Sequence, residues 1–241
     1  MVCKINPSNP PILCQFATRK PSYRIRTVAF ASYNPDQQDQ SSSTITTTQS
    51  RQSKADVYTA NFKSLRACKL GIAKYPDFEY NAEGGKGNGT GATKITDGEF
   101  NEEISVSFDL KTLYIPPLTS ATTKFLGLPL PPFLKIDVVP ELFQGSINRE
   151  SGQIDLEFVA KFWFSVGSIY KAPPLLVRTV LTSEESKGEM RSGRGERLDK
   201  EGNCRLVGVA TVDPIDDVFM NTFLGLPTEC LANLNAVISL S

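Results

Sequence analysis

Histidine is absent from the 241 residues of this chain. Its absence excludes a Ser-His-Asp triad, a Cys-His pair, histidine ligation of zinc or haem, and an imidazole proton switch made from the chain's own side chains. Long apolar runs are missing as well, because proline or charge interrupts each one before the roughly 18 residues that a spanning helix needs. The sequence therefore predicts no membrane span.

Net charge is zero, since 26 Lys and Arg balance 26 Asp and Glu. The charges are unevenly distributed along the chain, because residues 1–35 carry five basic side chains and no acidic one. A basic, acid-free start with scattered Ser and Thr is typical of an organelle transit peptide, and the four prolines of residues 1–31 favour a plastid address over a helical mitochondrial presequence. We expect residues 1–31 to be a plastid transit peptide; a mitochondrial presequence and an ordinary disordered tail are the alternatives.

Residues 32–55 are dominated by Ser, Thr and Gln and cannot bury enough apolar surface to fold, so they are predicted to form a flexible leader. The predicted location is the chloroplast, in the stroma or at the thylakoid, after removal of the transit peptide. Cys3 and Cys14 would be lost with that peptide. Of the remaining cysteines, Cys68, Cys204 and Cys230 have neither metal-ligand nor C-x-x-C spacing and are interpreted as buried thiols, with a Cys204–Cys230 disulfide left open.

Residues 56–241 are predicted to form a single β-rich domain, because apolar side chains recur there at every second position. The clearest run is 154–164, where Ile, Leu, Phe and Ala alternate mostly with charged residues. Weaker alternation occurs at 104–110, 204–212 and 231–240. Such a pattern puts one apolar face on each strand.

Turn signals separate these strands at Asn148–Gly152 and at Lys200–Asn203. Helical patterns are confined to Ala55–Ala67 and to Pro214–Phe223, where a short helix is expected. Recurrent strands without intervening helices predict an all-β fold, an antiparallel β-barrel or β-sandwich with one or two short helices.

The pentapeptide Phe-Leu-Gly-Leu-Pro occurs twice, at 125–129 and at 223–227. One interpretation is structural, with Gly permitting a bend and Pro ending it. The other is a pair of apolar lips around a ligand mouth, a membrane-touching edge or a partner-docking edge. The predicted ligand- or partner-binding residues are Phe125, Leu126, Leu128, Phe133, Phe223, Leu224, Leu226 and Trp163.

Motifs for phosphate, metal or nucleic acid are weak. The segment Gly84–Gly91 fits no phosphate-loop pattern and is interpreted as a flexible loop. The aspartates at 213, 216 and 217 are interpreted as helix caps in place of a cation site. The charges of residues 183–203 alternate in sign and predict a solvated hairpin without affinity for nucleic acid. No metal or cofactor is predicted.

Carboxylates and basic residues on the strands leave one further alternative. If the barrel interior is polar, Asp155, Glu157, Arg178 and Arg205 become ligand contacts; otherwise they face solvent. No residue is singled out as catalytic.

Two classes of function follow from the sequence. The first is a non-enzymatic plastid protein, either an accessory or assembly factor for a thylakoid complex or a carrier of a lipid, pigment or isoprenoid, with peripheral membrane contact left open. The second is a small barrel-type isomerase or cyclase that works without histidine. Enzyme activity is left undecided, with the non-enzymatic class favoured.

Overall fold

The computed structural model describes residues 56–72, 74–96 and 99–241. The expected transit peptide (residues 1–31) and leader (residues 32–55) lie outside the described residues. Within the described part, the chain forms fifteen strands and one short helix, α1 (Val218–Leu224). Numbered in chain order, the strands are β1 (Val57–Ser64), β2 (Cys68–Ile72), β3 (Tyr75–Tyr80), β4 (Lys86–Thr96), β5 (Glu99–Phe108), β6 (Thr123–Phe125), β7 (Leu128–Pro129), β8 (Leu134–Asn148), β9 (Ile154–Val166), β10 (Tyr170–Lys171), β11 (Leu175–Thr182), β12 (Glu185–Lys187), β13 (Ser192–Arg194), β14 (Asn203–Val212) and β15 (Thr228–Leu240).

Eight strands form a closed antiparallel ring in the order β1, β4, β5, β8, β9, β11, β14 and β15. Strand β15 closes it, because it pairs with β14 from Thr228 to Val237 and with β1 from Ala236 to Leu240. Earlier along the edge that pairs with β1, residues Cys230 to Asn233 of β15 pair with β2, from which β3, β6 and β7 extend the sheet. The predicted all-β antiparallel class is confirmed, and the ring closure is that of a barrel.

A large apolar core lies inside the ring. Its centre is a group of four phenylalanines from β1, β5, β8 and β9, in which the Phe143 ring lies 5.3 Å from Phe62, 4.7 Å from Phe108 and 5.8 Å from Phe158. The alternation predicted for β9 is confirmed, since Ile154, Leu156, Phe158, Ala160 and Phe164 are all buried. A period-two pattern therefore supplies the inner face of the ring.

The predicted turns and the later of the two predicted helices are present. Strands β8 and β9 form a hairpin around Asn148–Gly152, where Gly152 adopts a φ of 71° that favours glycine. The aspartate expected to cap the helix does so: Asp217 accepts a hydrogen bond from the Met220 N–H at 2.8 Å. Gly225 ends α1 in a left-handed conformation.

The helix predicted at Ala55–Ala67 is wrong, because this segment contains β1. Ala60, Phe62 and Ser64 are buried at every second position, and β1 is bonded to β4 on one edge and β15 on the other. Pairing on both edges outweighs the local helical preference of a few alanines and lysines.

The flexible loop predicted at Gly84–Gly91 is also wrong from Lys86 onward, where β4 begins. A Cβ at position 89 would lie 2.3 Å from the Ser107 carbonyl oxygen on β5. Glycine is therefore required there by the close approach of two strands and does not mark a loop.

Candidate functional site

A cavity of about 630 Å³ adjoins the large core. Phe62, Phe143 and Phe158 of that core line part of it. Members of two smaller buried clusters also line it, one that includes Leu118 and Leu130 and one that includes Met220 and Leu224. The volume lies in the range that protein sites offer to small-molecule ligands, roughly 300–1,000 Å³.

Strands β9, β11 and β14 contribute to the walls through alternate residues. Strand β9 contributes three phenylalanines, whereas β14 contributes Gly208, Ala210 and Val212. The missing side chain of Gly208 leaves room for Thr179 and Leu181 of the adjacent strand β11, because a Cβ there would lie 2.7 Å from Thr179 Oγ1. Ala210 presents only a methyl group to the cavity, so a larger side chain at this position would take up cavity volume.

The cavity is lined almost entirely by apolar groups. None of the described residues that line it is Asp, Glu, Lys or Arg. Burial raises the pKa of the Tyr80 hydroxyl, and it raises the pKa of the Cys230 thiol to about 11. Both groups therefore stay uncharged near neutral pH.

Several hydroxyls along the wall already have partners. Ser64 Oγ donates to the Ala82 carbonyl oxygen at 2.6 Å, and Thr179 Oγ1 donates to the Val209 carbonyl oxygen at 2.9 Å. The Tyr80 hydroxyl donates to the Pro116 carbonyl oxygen. These bonds link parts of the wall and leave these three donors unavailable to a ligand. The Thr228 hydroxyl also lines the cavity and is an uncharged donor.

The two Phe-Leu-Gly-Leu-Pro copies lie at the same end of the cavity. The first contains the turn between β6 and β7, and the second contains the end of α1. The Tyr75 ring connects them, with its centroid 6.4 Å from Phe125 and 5.7 Å from Phe223, and its hydroxyl donates to the Phe223 carbonyl oxygen at 2.6 Å. Tyr75 has no distinguishing pattern in the sequence and was not predicted as a site residue.

The cavity opens to the surface at this end. Four exposed side chains around the opening form what we call the apolar rim: Leu126, Leu128, Phe219 and Phe223. Leu126 and Leu128 are 71% and 70% exposed although they line the cavity. Phe219 stacks on Phe223 with ring centroids 5.7 Å apart and is itself exposed. The rim therefore joins the apolar interior to the surface.

The other predicted site residues do not belong to the apolar rim. Leu224 is only 7% exposed and packs with Phe164 and Met220, whereas Leu226 is partly buried and lines the cavity. Phe133 is 79% exposed and does not line the cavity. Trp163 lies in a separate shallow groove, 5.0 Å from the Lys171 ammonium.

The structure does not have the polar barrel interior that was the alternative prediction for Asp155, Glu157, Arg178 and Arg205. Asp155 accepts hydrogen bonds from Gln153 and Thr182, and Arg205 donates to Asn235, but none of the four proposed charged contacts lines the cavity. Their strand positions alternate with the inward apolar residues, which puts them on the outer face.

A Cys204–Cys230 disulfide is excluded by the strand register. Cys204 pairs with Ala236 and Cys230 with Ala210, so the two cysteines are six positions apart along the same ladder. At about 3.3 Å per residue that is roughly 20 Å, far beyond the reach of a disulfide. Cys68, Cys204 and Cys230 are all free thiols.

Among the described residues, no group of three His, Cys, Asp or Glu side chains is arranged to hold a metal ion. In the same part of the chain, no helix has the length and apolar character needed to cross a membrane. No family model matches the chain, and comparisons with curated proteins and with solved structures give no significant match. Function is therefore inferred from the cavity and its rim.

Proposed function

We propose that this protein is a non-enzymatic carrier that holds an apolar small molecule, such as a lipid, pigment or isoprenoid, inside its β-sheet ring. The observation that carries the proposal is the cavity of about 630 Å³ with an uncharged lining. Protein interiors are normally packed to the density of organic crystals, with few voids larger than a water molecule. An apolar void of this size is poorly suited to water, because water needs two to four polar partners, and well suited to hydrocarbon.

The apolar rim supports a route for loading. Leu126, Leu128 and Phe219 are exposed beside the opening, and exposed apolar patches mark interaction surfaces. We propose that the rim makes peripheral contact with a membrane surface, where molecules that are insoluble in water are stored. The ligand would then pass from the membrane to the cavity without crossing water.

The second candidate function is attachment to a thylakoid protein complex as an accessory or assembly factor. The same exposed rim favours it, since a protein partner would cover Leu126 and Leu128 equally well. An isomerase or cyclase has less support, because the described lining offers no carboxylate or amine for general acid–base chemistry. The plastid location remains part of the proposal and rests on the basic, acid-free residues 1–31.

The test is native mass spectrometry of the protein isolated gently from plastids, followed by solvent extraction of what it holds. The carrier function predicts a non-covalent mass that extracts into organic solvent. The cavity variant Ala210→Phe should carry less of it, because Ala210 lines the cavity on β14. The control is Thr211→Phe, at the exposed neighbouring position.

Two results would contradict the carrier function. One is wild-type protein that is empty and co-purifies with thylakoid subunits, which would favour the accessory factor. The other is an equal load in Ala210→Phe, which would place the bound molecule outside the cavity. Circular dichroism of each variant checks that the ring is folded.

A further inference from the structure

We infer that the ligand of this cavity is uncharged, and that the protein discriminates against a molecule of the same shape that carries an ionised carboxylate. The inference rests on the proposed carrier function and narrows its ligand class from apolar molecules in general to neutral ones. The inference excludes free fatty acids and other carboxylate amphiphiles as the preferred ligand. Isoprenoid alcohols, polyenes and other neutral hydrocarbon-rich molecules remain candidate ligands.

The described lining offers no charge to balance a buried anion. A carboxylate is only an acceptor, so it needs hydrogen-bond donors or a cation to replace the water that it loses. The described lining contains no Lys or Arg. The hydroxyl protons of Ser64, Tyr80 and Thr179 already go to backbone carbonyl oxygens. The Thr228 hydroxyl and the Asn233 amide also belong to the lining, but they are neutral donors, which suit a ligand hydroxyl better than an ionised carboxylate.

Two of the described cations, Arg191 and Lys74, lie close to the wall. Arg191 lies next to β2 and β3, but its guanidinium donates to the Ile72 and Tyr75 carbonyl oxygens, each at 2.6 Å, and to Asp77. Lys74 donates to the Thr222 carbonyl oxygen near the end of α1 at 3.5 Å. Arg191 therefore holds strands together. Lys74 is the cation that a carboxylate at the opening could pair with, so it is included in the test.

The size and shape of the cavity also indicate the class of ligand. At about 30 Å³ for each non-hydrogen atom, the volume that a water molecule takes in the liquid, the cavity accepts on the order of 20 atoms. Aromatic rings form much of its wall, among them Phe78, Phe125, Phe162 and Phe164. Flat unsaturated chains gain contact with such rings. A diterpenoid alcohol matches both the volume and the wall.

Retinol and retinoate make a matched pair of probes, because they share one polyene chain and differ in a hydroxyl or carboxylate end. The full chain, extracted with solvent to empty it, is titrated with retinol by fluorescence, and retinoate is measured by competition. At pH 8 the carboxylate is ionised, and we expect retinoate to bind at least about tenfold more weakly than retinol. The difference should narrow as the pH falls towards the carboxyl pKa, because protonated retinoic acid is neutral.

Each outcome separates the inference from the function on which it rests. Equal affinities at pH 8 would overturn the neutral-ligand inference and leave the carrier function supported. Tighter binding of retinoate that is lost in Lys74→Met would overturn the inference in favour of a charged head at the opening. If the folded wild-type chain binds neither probe, both the inference and the carrier function fail.

Two variants locate the binding. Ala210→Phe should weaken binding of both probes at least about tenfold, whereas Thr211→Phe should bind both like the wild type. If Ala210→Phe does not fold, the comparison of the two probes on the wild-type chain still decides the inference.

Discussion

Glu229, at the start of β15, is a buried carboxylate outside the cavity. Its oxygens accept hydrogen bonds from the backbone N–H groups of Glu189, Met190 and Arg191 at 2.6, 2.8 and 2.9 Å. These three residues form the turn between β12 and β13. Glu229 therefore ties the small outer sheet to the ring, and the backbone hydrogen bonds lower the pKa of its carboxyl.

At the residue scale, the lowered pKa of Glu229 predicts a pH dependence of stability. A carboxyl whose pKa is lower in the folded than in the unfolded chain stabilises the fold above the unfolded pKa, about 4.3. The stabilisation is lost as the pH falls through the folded pKa. Glu229→Gln should therefore lower the thermal midpoint by a few degrees at pH 7 and bring it closer to that of the wild type at pH 3.

Thermal unfolding followed by circular dichroism between pH 7 and pH 3 measures this. The control is Glu157→Gln, on the exposed outer face of β9, which should leave the profile unchanged. A constant difference between Glu229→Gln and wild type at every pH would show that the carboxylate charge plays no part.

At the scale of elements, the two Phe-Leu-Gly-Leu-Pro copies have identical letters and different surroundings. Leu224 is the last residue of α1 and packs with Phe164, Ala172 and Met220, whereas Leu128 begins the two-residue edge strand β7. Leu224→Ala should lower the free energy of unfolding by about 2–5 kcal/mol, the usual result of truncating a buried leucine. Leu128→Ala, at an exposed position, should change it by no more than about 0.5 kcal/mol.

Urea unfolding of the two variants and the wild type gives both free energies in one experiment. Equal losses would contradict the different burial of the two copies. The rim function is tested separately: Leu126→Ser together with Leu128→Ser should reduce flotation with vesicles of a neutral lipid while leaving unfolding unchanged.

The elements differ in how far the sequence predicts them. Strands β9, β14 and β15 follow from alternation, because burial on one face imposes period two. The segment around β1 does not, since its strand state depends on pairing with β15, which lies far away in sequence. The glycines of β4 are typical of a loop in sequence. The close approach of β4 to β5, which requires glycine, cannot be recognised from the residues around them.

The site was predictable only in part. The repeated pentapeptide directs attention to Phe125, Leu126 and Phe223, because two identical apolar bends are unusual in one chain. The cavity itself was not predictable. Ala210 is visible as a small inward residue, but the volume in front of it depends on the distance to the facing strands. Tyr75 is likewise recognised only when β3 and α1 are placed next to each other.

At the scale of the whole molecule, filling the cavity should stabilise the ring. A ligand that binds only the folded chain adds about 2.7 kcal/mol at a concentration of 100 times its Kd. For a domain of this size that corresponds to a rise in Tm of roughly 5–10 °C. Retinol should therefore raise the Tm of the emptied wild type and of Thr211→Phe by this amount, and should raise that of Ala210→Phe by clearly less.

Differential scanning calorimetry with and without retinol measures the rise. An equal rise in all three proteins would indicate binding to the surface. A wild-type Tm that retinol leaves unchanged would contradict a ligand held by the whole ring.

The closure of the ring by β15 has a consequence for how the molecule is made. Ala60 on β1 pairs with Leu240 on β15, 180 positions later in the chain. A ribosome releases β1 long before it has translated β15, and contacts between such distant segments form slowly. Until β15 emerges, the nascent chain keeps unpaired edges on β1, β2 and β14 and an accessible apolar interior. Unpaired strand edges and an accessible apolar interior favour aggregation, and only the pairing of this last strand covers them.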